Sequence, residues 1–142
     1  MILTGSSKEE SLIVVLNKGD RLIETITHLV EKHEIKGGFI SGIGALSNVE
    51  LGYYQLEKKT YLRKTFQEDD YELLSLKGNI TLKENAPYVH VHAVLGRKDF
   101  STFGGHLFEA TVAVTVELTI VPFGKMPRRE INEAIGLALI CG

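Results

Sequence analysis

Between Thr111 and Val121, apolar and polar residues change places at almost every step. Val112, Val114, Val116, Leu118 and Ile120 fall on one side, and Thr111, Thr115, Glu117 and Thr119 on the other. Successive side chains of an extended chain point to opposite faces, so this period of two demands a strand with one buried and one wet face. YELLSLKGNITLKE repeats the pattern, with Leu74, Leu76, Ile80 and Leu82 inward and Ser75, Lys77, Asn79 and Thr81 outward. Half-buried strands of this kind belong to antiparallel sheet, and they commit the chain to a fold built around one.

The remaining segments supply more strands and a helix. SLIVVLN is apolar on both faces, as a central strand would be. In GGFISGIGALSNVELGYYQL, Gly42 and Gly44 predict a bend or bulge within a strand, and YLRKTFQ reads as a short edge strand. Asp20 is placed to cap a helix whose apolar positions Leu22, Ile23, Ile26, Leu29 and Val30 recur at helical spacing. Lys36 and the glycines Gly37 and Gly38 mark its expected end. In the tail, MPRREINEAIGLALICG, a proline-initiated helical turn is expected, with GLALI closing as a strand.

These elements predict an α+β fold, a mostly antiparallel sheet of about six or seven strands with one main helix packed on it. One helix covers only part of such a sheet. LIVVL and VHVHAVL carry apolar groups on both faces, so either a partner subunit covers the remainder or the sheet closes into a barrel-like monomer. At 142 residues the chain is the size of one domain, taken as residues 1–142. No apolar run approaches the ~20 residues of a membrane-spanning helix, so no membrane is expected as a partner. MILTGSSKEE lacks the basic-then-apolar pattern of a secretory leader, and the single cysteine, Cys141, cannot form an internal disulfide, which points to the cytoplasm. A net charge of −2 gives no general pull toward phosphate backbones. Binding of DNA would need a local patch, for which KKTYLRK, with Tyr61 interleaved, and KMPRR are the candidates; charged edges that resist aggregation explain both as well.

Chemistry concentrates in YVHVHAVLGRKDFSTFGGHLFEA. Residues two apart in a strand share a face and lie ~6.6 Å apart along it, so His90 and His92 can converge on one ion held ~2.1 Å from each imidazole nitrogen. A hairpin centred on Asp99 sets His106 across from His92. Three histidines with an open fourth position form the pattern of a divalent transition metal, zinc foremost. The faces conflict, however, because His106 shares parity with Phe108, Val112 and Val114. A bulge at Gly104-Gly105 or further along would resolve this, as would burial of both faces at a subunit interface. The bland alternative is that His90 and His92 are outward polar positions and His106 bonds a carbonyl. Arg97 and Glu109 flank the hairpin and are candidate ligand-binding residues, one to orient an anion and the other to accept a proton. His28 and His33 lie on the helix and are expected in solvent. GIGALS lacks the third glycine and the following helix of a dinucleotide fingerprint. No catalytic residue is assigned.

FISGIGALSNVELGYY, YELLSLKGNITL, HVHAVLGRKDFSTFGGHLFEA and VELTIVPF, in this order, resemble the PPC domain (plants and prokaryotes conserved, also written PCC) in its prokaryotic single-domain form. The resemblance spans nearly the whole chain. It implies an α+β fold assembled as a homotrimer, and it matches His90, His92 and His106 to histidines of the prokaryotic pattern, where a metal can sit. Plant members follow AT-hook segments that bind DNA; this sequence carries no Arg-Gly-Arg-Pro core and has histidines that plant members generally lack. Three functions are in view. The first is a homotrimeric metal-binding protein that binds or acts on a small-molecule ligand. The others are a DNA-associated accessory protein and a trimeric protein-interaction module.

Overall fold

The two alternating segments become the long strands of a sheet that closes on itself. In the computed structural model, which describes residues 11–125 and 127–141, β2 (Gly38–Gln55) runs antiparallel to β6 (Thr102–Pro122). β6 pairs with β5 (Ala86–Gly96), β5 with β4 (Tyr71–Lys83), and β4 pairs back onto β2. The ring encloses the core, in which Leu46, Leu73, Leu76, Ile80, Val91, Leu95, Leu118 and Ile120 are buried. β1 (Leu12–Asn17) is added to β6, β3 (Thr60–Phe66) to β2, and a hairpin of β7 (Arg128–Asn132) and β8 (Leu137–Cys141) to β4. Helix α1 (Leu22–Lys32) lies against β5 and β6, burying Leu22, Ile26 and Val30, each worth roughly 1.5–3 kcal/mol. Eight strands and one α-helix among the described residues make the expected α+β fold, mostly antiparallel. MILTGSSKEE, read above for a leader pattern, lies outside the described residues.

Several local expectations are corrected. Among the described residues β1 is a flanking strand paired only with β6, and it alternates buried and exposed positions, so Ile13 faces solvent. Asp20 does not cap α1; its carboxylate accepts the Asn17 N–H at 2.8 Å and closes the turn before the helix. The helix stops at Lys32, short of the glycines, and Glu34 takes the left-handed conformation (φ 51°). Gly37 and Gly38 serve close approach instead, since a Cβ on Gly37 would lie 2.7 Å from the Pro127 ring. A bulge between Leu73 and Ser75 puts Leu73 in the core and leaves Leu74 50% exposed. Val114, expected inward, is 65% exposed while Ala113 is buried. In the tail, Pro127 starts no helical turn: its carbonyl accepts the Leu82 N–H at 2.8 Å and aligns β7 parallel to β4. The outward Ile13, Ile43, Leu74 and Val114 line two adjoining depressions, which share Ile43, Leu74 and Glu117.

Candidate metal centre

Along β5, Val89, Val91, Ala93 and Leu95 enter the core, so His90 and His92 leave from the opposite face. The turn that follows is built by local chemistry. Arg97 N–H donates to the Ser101 carbonyl, Phe100 N–H to the Arg97 carbonyl, both at 2.9 Å, and Phe100 adopts φ 65°. Asp99 Oδ1 accepts from the Ser101 N–H and hydroxyl at 2.9 and 2.7 Å. This turn sets the register in which His92 stands opposite His106.

The conflict of faces is resolved beyond the hairpin. Pairing runs unbroken from Thr102 to His106, so Gly104-Gly105 carries no bulge. The register against β2 instead breaks between Leu107 and Thr111. Leu107 enters the core, and so do Ala110 and Val112, of the other parity. His106 therefore points away from the core beside His90 and His92.

The three rings form a nearly equilateral set, with centroid separations of 5.0, 5.3 and 5.4 Å. One ligand nitrogen from each lies within 4.8 Å of the others. Nitrogens around one tetrahedral zinc sit about 3.4 Å apart, so the three rings would turn inward to share an ion. His106 is only 6% exposed, roofed by Phe108 (4.6 Å) and Tyr61 (5.1 Å). Gly52, opposite His106 on β2, makes room for this roof: a Cβ there would stand 2.5 Å from Phe108 and 2.8 Å from Tyr61. The Arg63 guanidinium stacks on Phe108 at 3.7 Å and pairs with Glu50.

The donor set fits a cation. Among the described residues His106 Nδ1 is buried without a hydrogen-bond partner, a condition costing about 1–3 kcal/mol that a ligand bond would relieve. Burial, reinforced by Arg129 and the other two imidazoles, pushes His90 down to about 4; burial, then His92, Arg63 and Arg129, does the same to His106. Both rings are therefore neutral at pH 7, the form that metals take.

The other predicted residues stand elsewhere. Glu109 holds the start of α1, accepting the N–H groups of Ile23 (2.9 Å) and Glu24 (3.2 Å) and lying 3.6 Å from Arg21. Arg97 lies over the Phe103 ring at 3.8 Å. His28 and His33 are exposed on and just after the helix, as expected. Of the basic clusters, Lys59 bonds the Glu133 carbonyl, Arg63 pairs with Glu50, and Lys64 covers Phe66. Arg129, read as part of a surface patch, turns inward to His90. Thr81, expected outward, is fully buried beneath it. Nothing in the local pattern announces these positions, because they depend on where β7 docks.

A model of the Plants and Prokaryotes Conserved (PCC) domain matches residues 4–124. A solved structure from Archaeoglobus fulgidus, described as a metal-containing protein, is 34% identical, with 94% of each chain covered and a TM-score of 0.86. A plant- and prokaryote-conserved (PPC) protein of Pyrococcus horikoshii is also 34% identical, over 100% of this chain and 95% of that one, with a TM-score of 0.87. A protein of Bacteroides thetaiotaomicron described as a candidate DNA-binding protein is 26% identical, over 99% and 96%, with a TM-score of 0.92. A comparison with curated proteins found no match.

Proposed function

This chain belongs to the Plants and Prokaryotes Conserved (PCC) domain family, and on that premise we propose that it is a homotrimeric metal-binding protein. His90, His92 and His106 grip one divalent transition metal, zinc foremost, and the fourth position is left to water or a small ligand. The observation that carries this reading is the convergence of three imidazole donors within 4.8 Å, one of them buried and orphaned. The metal-containing relative from Archaeoglobus fulgidus supports it. Such an ion, when bound, supplies Lewis acidity to a carbonyl or lowers the pKa of its water toward about 7. The chain's own residues do the rest: Tyr61 and Phe108 shield the site from bulk water on the His106 side, and the exposed His92 leaves the other side open to a ligand.

Trimer formation is supported by the apolar face of Ile13, Ile43, Leu74 and Val114, which are 43–65% exposed and line two adjoining depressions that a second copy of the chain would cover. We place the protein in the cytoplasm on its single exposed cysteine, Cys141. No helix among the described residues is long and apolar enough to cross a membrane.

Elemental analysis of untagged protein tests the reading. About one equivalent of metal per chain is expected in the wild type and none in His90→Ala. Equally low metal in both, after reloading with zinc, transfers the case to an interaction module indifferent to chelators. A DNA-associated role is the second reading, carried by the description of the Bacteroides relative. Its mark would be retention on DNA that falls steeply with salt.

A further inference from the structure

Arg129 reaches the candidate metal site from the C-terminal hairpin, and all three of its nitrogens are engaged. Nε donates to Thr81 Oγ1 at 3.0 Å and Nη1 to the Ala138 carbonyl at 3.0 Å. Nη2 donates one hydrogen to Asn79 Oδ1 at 2.9 Å and lies 3.0 Å from His90 Nδ1. A guanidinium has hydrogens to give and no lone pair to offer, so His90 Nδ1 must be the acceptor. The ring's only hydrogen is then on Nε2. In that tautomer neither nitrogen can ligate, because one lone pair is taken by Arg129 and the other position carries a proton.

A metal would have two routes to His90. It would take Nδ1 and displace the guanidinium directly, or take Nε2, whose proton would leave to water while water returned one to Nδ1. The second route keeps the ring neutral but turns an N–H toward the N–H of Arg129, two donors face to face. Under either route the Arg129–His90 bond and the metal exclude each other.

We propose that Arg129 competes with the metal for His90, so that the ion enters only as the guanidinium leaves and the β7–β8 hairpin loosens with it. This rests on the metal reading of the three histidines. The hairpin is lightly held. Among the described residues only Arg128 and Arg129 pair with β4, and the hairpin's polar ties beyond Arg129 include the Pro127 carbonyl, the Tyr54 hydroxyl on the Ile135 carbonyl and Lys59 on the Glu133 carbonyl. Releasing a side chain that binds Asn79, Thr81 and His90 at once removes the tie nearest the site. Coupling is reciprocal: whatever fastens the hairpin weakens metal binding, and the metal unfastens the hairpin.

The test uses the full chain stripped of metal and titrated with zinc alone. Long-range proton–nitrogen spectra of the metal-free wild type should show His90 as the Nε2–H tautomer. Zinc should abolish that signature and speed amide exchange in β7 and β8 while β5 and β6 stay protected. Arg129→Met should bind zinc roughly tenfold or more tightly than the wild type. Arg129→Lys, which keeps the charge without the planar fork, should fall between. If Arg129→Met binds zinc no more tightly while His90→Ala loses it, the competition is wrong and the metal site survives. If wild type and Arg129→Met both fail to bind, competition and metal site fall together. An Nδ1–H tautomer in the metal-free wild type overturns the proposal without recourse to any variant.

Discussion

His92 and His106 face each other directly across the β5–β6 hairpin, with ring centroids 5.4 Å apart and planes at 86°. That pairing depends on a short turn and on Phe100 holding φ 65°, and it brings the most exposed and the most buried of the three imidazoles together. The donor set is therefore half inside the protein and half in water, and its members should respond differently to perturbation.

Gly52→Ala should damage the buried half. The new methyl would collide with Phe108 and Tyr61, which must move, at about 1–3 kcal/mol of stability. Denaturant midpoints check the cost, and weaker zinc binding at unchanged fold checks that the roof over His106 matters.

The metal-free protein should lose stability as the pH falls below about 6.5. Above that, both folded and unfolded chains hold His90 and His106 neutral. Between 6.5 and about 4 the unfolded chain binds protons that the folded chain refuses, so acid favours unfolding. After allowance for solvent screening, the loss is of the order of 2 kcal/mol. Urea titrations at pH 7.5 and 5 measure it, and the double variant His90→Gln, His106→Gln should flatten the difference.

Zinc at about a hundredfold over its dissociation constant should raise the stability of the wild type by about 2.7 kcal/mol. Thermal melts with and without zinc check this, and His92→Ala should show no rise.

Glu109→Ala should cost about 1–2 kcal/mol, because the first N–H groups of α1 lose their acceptor and the helix dipole its counter-charge. Zinc stoichiometry should not change. A drop in metal content at full stability would return Glu109 to the site.

Leu74→Glu should break the assembly. Sedimentation should give three times the 15.7 kDa chain mass for the wild type and a single chain mass for the variant, with helix and sheet content retained.

What could be read from the sequence was what neighbouring residues decide. The two-residue period placed β4 and β6, and the turn chemistry around Asp99 set His92 against His106 without any knowledge of the rest. Adjacent apolar residues defeated the same reasoning: with Leu73 and Leu74 side by side, either could face the core, and a bulge made the choice. The cap of α1 comes from Glu109 on β6 rather than from nearby Asp20, and Arg129 reaches His90 through a parallel pairing set by the Pro127 carbonyl. Both depend on segments far apart in the chain, which no local pattern records. Patterning and spacing by themselves put forward the α+β fold and the three histidines, and the family resemblance pointed to the same fold and the same three residues.

Closure of the ring has a kinetic side. The second half of β2 folds back at once onto β3, but Gly38, at the start of the strand, finds partners only in Ile80 of β4 and Pro122 of β6, so during synthesis the first half of β2 waits with both edges open until those strands have followed. Contacts of such long sequence separation form slowly and expose sticky strand edges in the meantime. Refolding should therefore lag behind that of helical chains of this length, and the yield of native protein should depend on how dilute the nascent chains are kept.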